Sequence, residues 1–223
     1  MPISTATPLY NDVLKNSWQR ICQQFGLQSQ QAFTAQVYEE LLNCYGQSHR
    51  AYHGVQHLAE CITVFEKVSH LAMQPAPLEI ALWFHDAIYQ TRQKPDEPNN
   101  EQRSAEWASQ FLHRCGVNSV TIEQVAQFIM ATQHHQASNA DEQLMVDIDL
   151  AILGSPPERF AQYQQQIRAE YDFVPPALFA LKRREVLDRF YQRSRIYQTD
   201  YFYGHYEQQA RQNLQAALIA EES

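Results

Sequence analysis

The segment that decides the fold reads Ile80-Ala81-Leu82-Trp83-Phe84-His85-Asp86-Ala87-Ile88-Tyr89. Apolar residues occupy every position except two, which favours a short helix buried at the centre of the protein. The two exceptions are a histidine and an aspartate. Burying an ionised carboxylate without a partner costs several kcal/mol, so Asp86 must be paired, neutralised or bound to a cation. A hydrogen-bonded His–Asp pair in the core would satisfy this requirement as well as a functional site would.

The rest of the chain repeats apolar residues at three- and four-residue steps, the pattern of amphipathic helices. Gly26 and Gly46 end the first two runs, and Pro75 with Pro77 is interpreted as ending the third. Residues 90–100 hold two prolines and two asparagines and predict a loop, of a length that is often functional. Alternation typical of strands is not sustained anywhere, so we predict an all-α bundle of roughly nine or ten helices. The predicted helices cover residues 13–25, 33–42, 58–71, 80–89, 101–115, 122–134, 144–153, 160–169, 176–193 and 203–220.

The composition indicates one folded domain. Of 223 residues, 44% are hydrophobic and only 19% are charged, which excludes a disordered or coiled-coil chain. Six glycines are too few for the turns and bulges of an all-β fold. No linker rich in glycine, proline or serine interrupts the sequence. We therefore predict a single domain over residues 1–223, with a core at about 45–155 and C-terminal helices at about 157–221 packed on it.

Charge and cysteine usage limit the partners and the compartment. The net charge of −8 argues against binding duplex nucleic acid. Cys22, Cys44, Cys61 and Cys115 form no C-x-x-C pair and fall within predicted helices, so we expect reduced core thiols. No apolar run is long enough to cross a membrane, and the first residues do not resemble a signal peptide. We predict a cytoplasmic protein without a membrane partner, and the oligomeric state stays open.

Two further stretches carry candidate functional groups. In Arg50-Ala51-Tyr52-His53-Gly54-Val55-Gln56-His57 the two histidines are four residues apart, so on a helix both imidazoles project from one face. They could share a metal, or one could bind a metal while the other donates a proton, although a polar surface pair is simpler.

In residues 144–153, Asp147 and Asp149 interrupt another apolar run. They lie about 200° apart on a helix, so we expect one to be a ligand and the other a cap or a supporting group.

Four residues from three apolar helices offer two imidazoles and two carboxylates: His57, His85, Asp86 and Asp149. This nitrogen and oxygen set, without thiolate, suits Mn²⁺, Fe²⁺, Co²⁺, Ni²⁺ or Mg²⁺. Such an ion would keep positions open for water and a phosphate oxygen, and would make that water a nucleophile at neutral pH. The set therefore predicts a divalent metal site in the core of the domain.

The order H…HD…D of these residues resembles the HD superfamily of metal-dependent phosphohydrolases, most closely a bacterial branch of predicted HD-type phosphohydrolases of about this size. The resemblance runs from about residue 45 to about residue 218 and implies an HD-type helical domain. Further motifs in the family's order carry it: Arg50-x-Tyr52-His53-x-x-x-His57, Asn100-Glu101-x-x-Ser104-Ala105, Ala131-Thr132-x-x-His135, Asp147-x-Asp149-Leu150-x-x-Leu153-Gly154, Ile167-Arg168-x-Glu170-Tyr171 and Ala210-Arg211-x-Asn213-Leu214.

The resemblance implies a role for each matching residue. The four residues of the H…HD…D set match the family's metal ligands, and Asp86 or Asp149 would also orient the attacking water. His53 matches the histidine that donates a proton to the leaving oxygen in related cyclic-nucleotide phosphodiesterases. His135 matches a position that binds a second metal or a phosphate, and Glu101 could be a base or a ligand of that second metal.

Several arginines are candidates for binding a substrate phosphate on this acidic protein. The candidates are Arg50, Arg168 and Arg211, with a further cation near residue 183, where the family has a glycine–arginine pair. This chain has Leu181-Lys182-Arg183-Arg184 there, and any of its three cations could fill the position, with Arg183 taken as the candidate. Surface solvation and charge pairing at helix ends are the simpler interpretation of these arginines.

We therefore predict a metal-dependent phosphohydrolase that acts on a small phosphorylated molecule such as a nucleotide. Two alternatives stay open. One is a non-catalytic regulatory module that binds metal or nucleotide, and the other is an HD-type di-iron oxygenase that would need Glu101 and His135 as further ligands. The sequence contains no P-loop, serine-hydrolase or zincin motif.

Overall fold

The computed structural model describes residues 8–92 and 97–220, which contain helices and turns but no strand. The predicted all-α fold is confirmed, and ten α-helices lie within these two ranges. Pro95 and Asp96 of the predicted loop lie outside the described residues. The helices are α1 (Pro8–Gln24), α2 (Gln31–Tyr45), α3 (Val55–Val68), α4 (Pro75–Phe84), α5 (Asn100–Arg114), α6 (Ser119–His134), α7 (Ala140–Asp149), α8 (Pro157–Glu170), α9 (Pro176–Tyr191) and α10 (Asp200–Ala220). Short 3₁₀ helices cover Leu27–Gln30, Ser69–Leu71 and Leu150–Gly154.

The chain divides into two compact units, Met1–Val146 and Asp147–Ser223. The boundary falls inside the continuous helix α7, so no linker in the sequence marks it. The first unit contains α1 to α6 and the greater part of α7, and the second contains α8 to α10. The prediction of a single domain over the whole chain stays a prediction.

Helix α4 is the central element of the first unit. Its residues from Pro77 to Phe84 are all buried, and it packs against α1, α3, α5 and α6. This confirms that the apolar segment forms a buried helix. The bounds differ from the prediction, because α4 covers Pro75–Phe84 and ends before His85. Pro75 begins this helix instead of ending the previous one, since proline fits the first helical turn, where an N–H has no intrahelical partner.

A buried carboxylate ties the start of α7 to the start of α4. Asp141 is only 4% exposed, and it accepts hydrogen bonds from the backbone N–H groups of Met73 and Gln74, each at 2.8 Å. These donors directly precede α4, so the carboxylate caps this helix and interacts favourably with its positive end. Asp141 is the second residue of α7, so these hydrogen bonds hold the first turn of α7 next to the first turn of α4.

A second buried carboxylate belongs to α4 itself. Glu79 is 1% exposed and accepts hydrogen bonds from the hydroxyl of Ser17 at 2.6 Å and from Nε of Arg20 at 3.0 Å. The Ser17 hydroxyl accepts one in turn from the indole N–H of Trp83 at 2.9 Å. Arg20 also pairs with Glu66 at 2.9 Å on the surface. The guanidinium of Arg20 thus compensates the charge that α4 buries at Glu79.

In the second unit, buried carboxylates hold the loop that precedes α10. Asp147 is fully buried and accepts hydrogen bonds from the backbone N–H groups of Gln198 at 2.9 Å and Thr199 at 2.7 Å. Glu207 accepts one from the N–H group of Ile196 at 3.0 Å. Asp147 therefore caps the start of α10, which confirms that one aspartate of the Asp147-x-Asp149 pair is a cap.

The absence of a side chain at position 154 allows a close approach in the second unit. The 3₁₀ helix Leu150–Gly154 packs against α10, and a Cβ atom at Gly154 would lie only 2.7 Å from the carbonyl oxygen of Tyr206. The amide of Asn213 donates to the carbonyl oxygen of Leu153 at 2.8 Å. The first contact explains the glycine of the motif Leu150-x-x-Leu153-Gly154. The second explains the asparagine of the motif Arg211-x-Asn213-Leu214.

Replacing Arg20 with methionine should destabilise the protein by about 3 kcal/mol, because the Glu79 carboxylate would stay buried without its counter-charge. This value is at the low end for a buried pair, since the Arg20 side chain is 34% exposed and water screens it in part. Urea unfolding followed by circular dichroism measures the change. The matched control, Glu66→Gln, breaks the exposed half of the network and should cost less than about 1 kcal/mol. Equal losses in the two variants would contradict the prediction.

Candidate metal centre

Two histidines and an aspartate converge where α3 begins and α4 ends. His57 lies in the first turn of α3, and His85 and Asp86 follow the last residue of α4. The Nε2 atoms of the two histidines are 3.1 Å apart, and Oδ2 of Asp86 lies 3.4 Å and 3.2 Å from them. Both histidines are at most 2% exposed. The structure therefore brings three of the four predicted ligands of the first metal together.

A hydrogen bond made by Nδ1 of His85 determines which tautomer the neutral imidazole adopts. Nδ1 lies 2.8 Å from the carbonyl oxygen of Leu82, and because a carbonyl oxygen only accepts, Nδ1 carries the proton. Nε2 of the neutral ring then directs a lone pair toward His57 and Asp86. Histidines that ligate metals are oriented by a hydrogen bond of this kind. A lone pair and a carboxylate oxygen 3.2 Å apart repel each other unless a proton or a cation lies between them.

The separations among the three atoms suit ligands of one ion. Ligands about 2.1 Å from a metal lie about 3.0 Å apart at right angles and about 3.4 Å apart in a tetrahedron. The observed separations are 3.1, 3.2 and 3.4 Å. Imidazole nitrogen and carboxylate oxygen are also donor types that borderline divalent ions accept. The residues therefore fit a divalent metal ion.

One more residue of the first unit forms a group of candidate ligands with His57 and His85, namely Cys61. Cys61 lies one turn after His57 on α3, and its Sγ is 3.7 Å from Nδ1 and 3.8 Å from Nε2 of that ring. The ligand atoms of His57, Cys61 and His85 all lie within 4.8 Å of one another. Asp149 is the last residue of α7 and belongs to the second unit, and its part in the metal site stays a prediction. A mixed group of histidine, cysteine and aspartate could thus hold a metal ion.

Cys61 is the member of the group that sequence analysis missed. All four cysteines are free, as expected, but a cysteine inside a predicted helix is usually a core residue and carries no functional signal by itself. The spacing of four residues from His57 was the available signal, because it places the thiol on the same face of α3.

Neighbouring charges keep the carboxylate of the cluster ionised. Burial raises the pKa of Asp86, but the adjacent His85 and His57 outweigh burial and hold this pKa well below its usual value. Burial also raises the pKa of Tyr45 to about 12, so its phenol stays protonated and donates to the carbonyl oxygen of Trp83 at 3.1 Å. The cluster therefore presents an anionic oxygen to its two imidazoles at neutral pH.

The guanidinium of Arg50 holds the turn that carries His85 and Asp86. It donates to the carbonyl oxygen of Asp86 at 2.6 Å and to that of Ala87 at 3.0 Å, and the residue is 7% exposed. A planar fork of donors suits two adjacent carbonyl groups. These contacts give Arg50 a positioning role, while the predicted contact with substrate stays a prediction.

His53 lies in the turn before α3, which begins at Val55, so the two histidines do not lie on one face of a helix as their spacing would allow. Gly54 precedes the helix with an extended backbone and separates the two histidines. Their rings are nevertheless close, with centroids 5.8 Å apart. The imidazole of His53 stacks on Tyr89 at 4.0 Å and is partly exposed. His53 is therefore beside the cluster and accessible from solvent.

The two candidates for a second metal lie at helix ends. Glu101 is in the first turn of α5, between Asn99 and Gln102, which form the capping box of that helix. His135 follows α6 with φ 50° and ψ 44°, and among the described residues it alone has a positive φ without being glycine. Histidine is one of the residues that tolerate this conformation, which commonly ends a helix. Both side chains are partly buried, and their metal or phosphate contacts stay predictions.

Three arginines of the second unit, Arg168, Arg183 and Arg211, are engaged in contacts within the chain. Such contacts fit the simpler interpretation, in which arginines pair at helix ends, and phosphate binding by them stays a prediction. Arg168 donates to the carbonyl oxygens of Tyr171 and Val174, Arg183 to the amide oxygen of Gln164, and Arg211 to the carbonyl oxygen of Tyr191 and the carboxylate of Glu207.

No protein-family model, curated protein or solved structure matches this chain. The resemblance to the HD superfamily therefore rests on the sequence motifs themselves. Among the helices of residues 8–92 and 97–220, none combines the length and the apolar character needed to cross a membrane.

Adding a divalent metal to the metal-free protein should raise its thermal midpoint. An ion at about 100 times its Kd stabilises the folded state by about 2.7 kcal/mol, because the ligand set exists only in that state. Replacing His57 or His85 with alanine should abolish the shift, which differential scanning calorimetry measures. The control His113→Ala removes an exposed histidine of α5 and should retain it. A shift that survives the loss of both His57 and His85 would exclude this cluster as the metal centre.

Replacing Arg50 with lysine should weaken Zn²⁺ binding by about 10–100-fold, the usual effect of losing a group that orients a ligand. One ammonium group cannot reproduce the fork that holds two adjacent carbonyl oxygens. Isothermal titration calorimetry measures the affinity. Arg114→Lys, at the exposed end of α5, is the matched control and should bind as the wild type does. Unchanged affinity in Arg50→Lys would mean that the turn keeps its shape without this guanidinium.

Proposed function

We propose that this chain is a metal-dependent phosphohydrolase acting on a small phosphorylated molecule such as a nucleotide. One observation carries the proposal. The Nε2 atoms of His57 and His85 and Oδ2 of Asp86 converge within 3.4 Å in a buried site. This arrangement supports a bound divalent cation, and the H…HD…D order of the residues is the order found in metal-dependent phosphohydrolases.

The proposed ligands of the ion are His57, His85, Asp86 and Asp149. A divalent ion held there would polarise a phosphoryl oxygen and bring the pKa of a coordinated water toward neutrality. Asp86, which is ionised, or Asp149 would orient the attacking water by accepting a hydrogen bond from it. Enclosure by the apolar residues of α4 would strengthen each of these electrostatic interactions.

His53 is proposed as the general acid that protonates the leaving oxygen. The centroid of its ring lies 5.8 Å from that of His57, so the proposed acid lies directly beside a proposed ligand of the ion. Stacking on Tyr89 restricts the orientation of the imidazole. An imidazole can carry and release a proton near neutral pH, which the role requires.

Metal analysis of the purified full chain, followed by a phosphate-release screen over nucleotides with the identified metal added, tests the proposal. Metal-dependent release that proceeds without O₂ and is lost in Asp86→Asn would support a phosphohydrolase. Bound metal without release from any substrate would favour a regulatory module. A reaction that requires O₂ would favour a di-iron oxygenase. A chain that neither retains nor binds a divalent metal would contradict the proposal outright.

Replacing His53 with glutamine should lower kcat for phosphate release by about 10²–10⁴-fold, the usual contribution of a positioned general acid. The metal content should not change, because His53 is not one of the proposed ligands. Steady-state kinetics together with metal analysis measure both quantities. His70→Gln, an exposed histidine of the 3₁₀ helix Ser69–Leu71, is the control for the substitution itself. Loss of the metal in His53→Gln would place this residue among the ligands instead.

A further inference from the structure

We infer that Cys61 is itself a ligand of the proposed ion, and that the centre therefore selects thiophilic divalent ions such as Zn²⁺ and Co²⁺ over Mg²⁺ and Mn²⁺. This inference rests on the metal-binding part of the proposed function and is independent of hydrolysis. It changes the donor set from nitrogen and oxygen alone to one that includes sulfur.

The position of Cys61 on α3 gives the first argument. The residue follows His57 by four positions, so one helical turn presents both side chains on the same face. Cys61 is 2% exposed, and its sulfur belongs to the group of ligand atoms that lie within 4.8 Å of one another. Helix α3 therefore places the thiol of Cys61 at the site together with the imidazole of His57.

Distances give the second argument. With a Zn–S bond of about 2.3 Å and a Zn–N bond of about 2.05 Å, tetrahedral sulfur and nitrogen ligands lie about 3.6 Å apart. The Sγ atom of Cys61 lies 3.8 Å from Nε2 of His57, the nitrogen that also faces His85. A shift of a few tenths of an ångström would bring the sulfur into ligand range.

Burial alone does not distinguish Cys61 from the other cysteines. Cys115 is also buried, and burial raises the pKa of its thiol to about 11, the behaviour of a core cysteine. Cys22 and Cys44 are half-buried. Among the described cysteines, the group of candidate metal ligands includes Cys61 alone. Proximity to the two histidines, rather than burial, therefore assigns it to the site.

The selectivity follows from the chemistry of sulfur. A thiolate is a soft donor that favours Zn²⁺ and similar ions, whereas Mg²⁺ and Mn²⁺ favour oxygen ligands. On coordination the S–H bond breaks, the proton goes to solvent, and the sulfur electron pair binds the ion. The two imidazoles add borderline donors, which suit the same ions.

Titration of the metal-free full chain with Co²⁺ tests the inference, because a cysteine ligand produces a thiolate-to-cobalt charge-transfer band in the near ultraviolet. The wild type should show this band. Cys61→Ser and Cys61→Ala should lose it and bind Zn²⁺ more than about tenfold more weakly, since even groups outside the ligand set cost roughly 10–100-fold. Binding of Mg²⁺ should not change. The control Cys44→Ser, a half-buried cysteine of α2, should retain both the band and the affinity.

The outcomes separate this inference from the proposed function. Co²⁺ binding by the wild type without the band, or a band that persists in Cys61→Ala, would overturn the role of Cys61 and leave the phosphohydrolase proposal standing. Absence of Co²⁺ binding by the wild type would overturn both. Far-ultraviolet circular dichroism of each variant shows whether its helices are retained, and either Cys61 substitution that keeps them suffices for the test.

Discussion

Two imidazole nitrogens and a carboxylate oxygen lie within 3.4 Å of one another in a largely apolar interior, and only a proton or a cation among them can offset their repulsion. The elements of the first unit hold these three atoms in place. The buried helix α4 packs against α3, which carries His57, and the residues that follow its end are His85 and Asp86. The carbonyl oxygen of Leu82 fixes which nitrogen of His85 carries the proton. The guanidinium of Arg50 holds the turn that follows α4 by donating to the carbonyl oxygens of Asp86 and Ala87.

Three other buried carboxylates are paired with groups that stabilise the fold. Glu79 faces the guanidinium of Arg20, and Asp141 and Asp147 accept hydrogen bonds from backbone N–H groups that precede helices. Each of these three groups meets donors. Asp86 instead faces two imidazoles, which lower its pKa through hydrogen bonds and charge when they are protonated, and whose nitrogens can ligate a cation when they are neutral. This difference is the physical reason for reading the His–Asp cluster as a metal centre rather than as another stabilising pair.

The sequence predicts most helices because apolar periodicity is a local property, and it predicts the His–Asp cluster because polar groups in apolar helices require partners. The bounds of α4 are missed, since Pro75 fits the end of one helix as well as the start of the next. The turn at Gly54 is missed because a spacing of four residues assumes a helix. Cys61 is missed because burial of a thiol is ordinary, and its spacing of four residues from His57 was not used. The boundary between the units lies inside α7, where no glycine or proline marks it.

The capping role of Asp141 has a consequence for how this protein can vary. Asp141 anchors the start of α7, and the buried residues Leu144, Met145 and Val146 follow it in the same helix. Each residue added or deleted between them would turn these apolar side chains by about 100° and move them by about 1.5 Å along the axis. This part of the chain therefore tolerates the exchange of one amino acid for another better than a change in length.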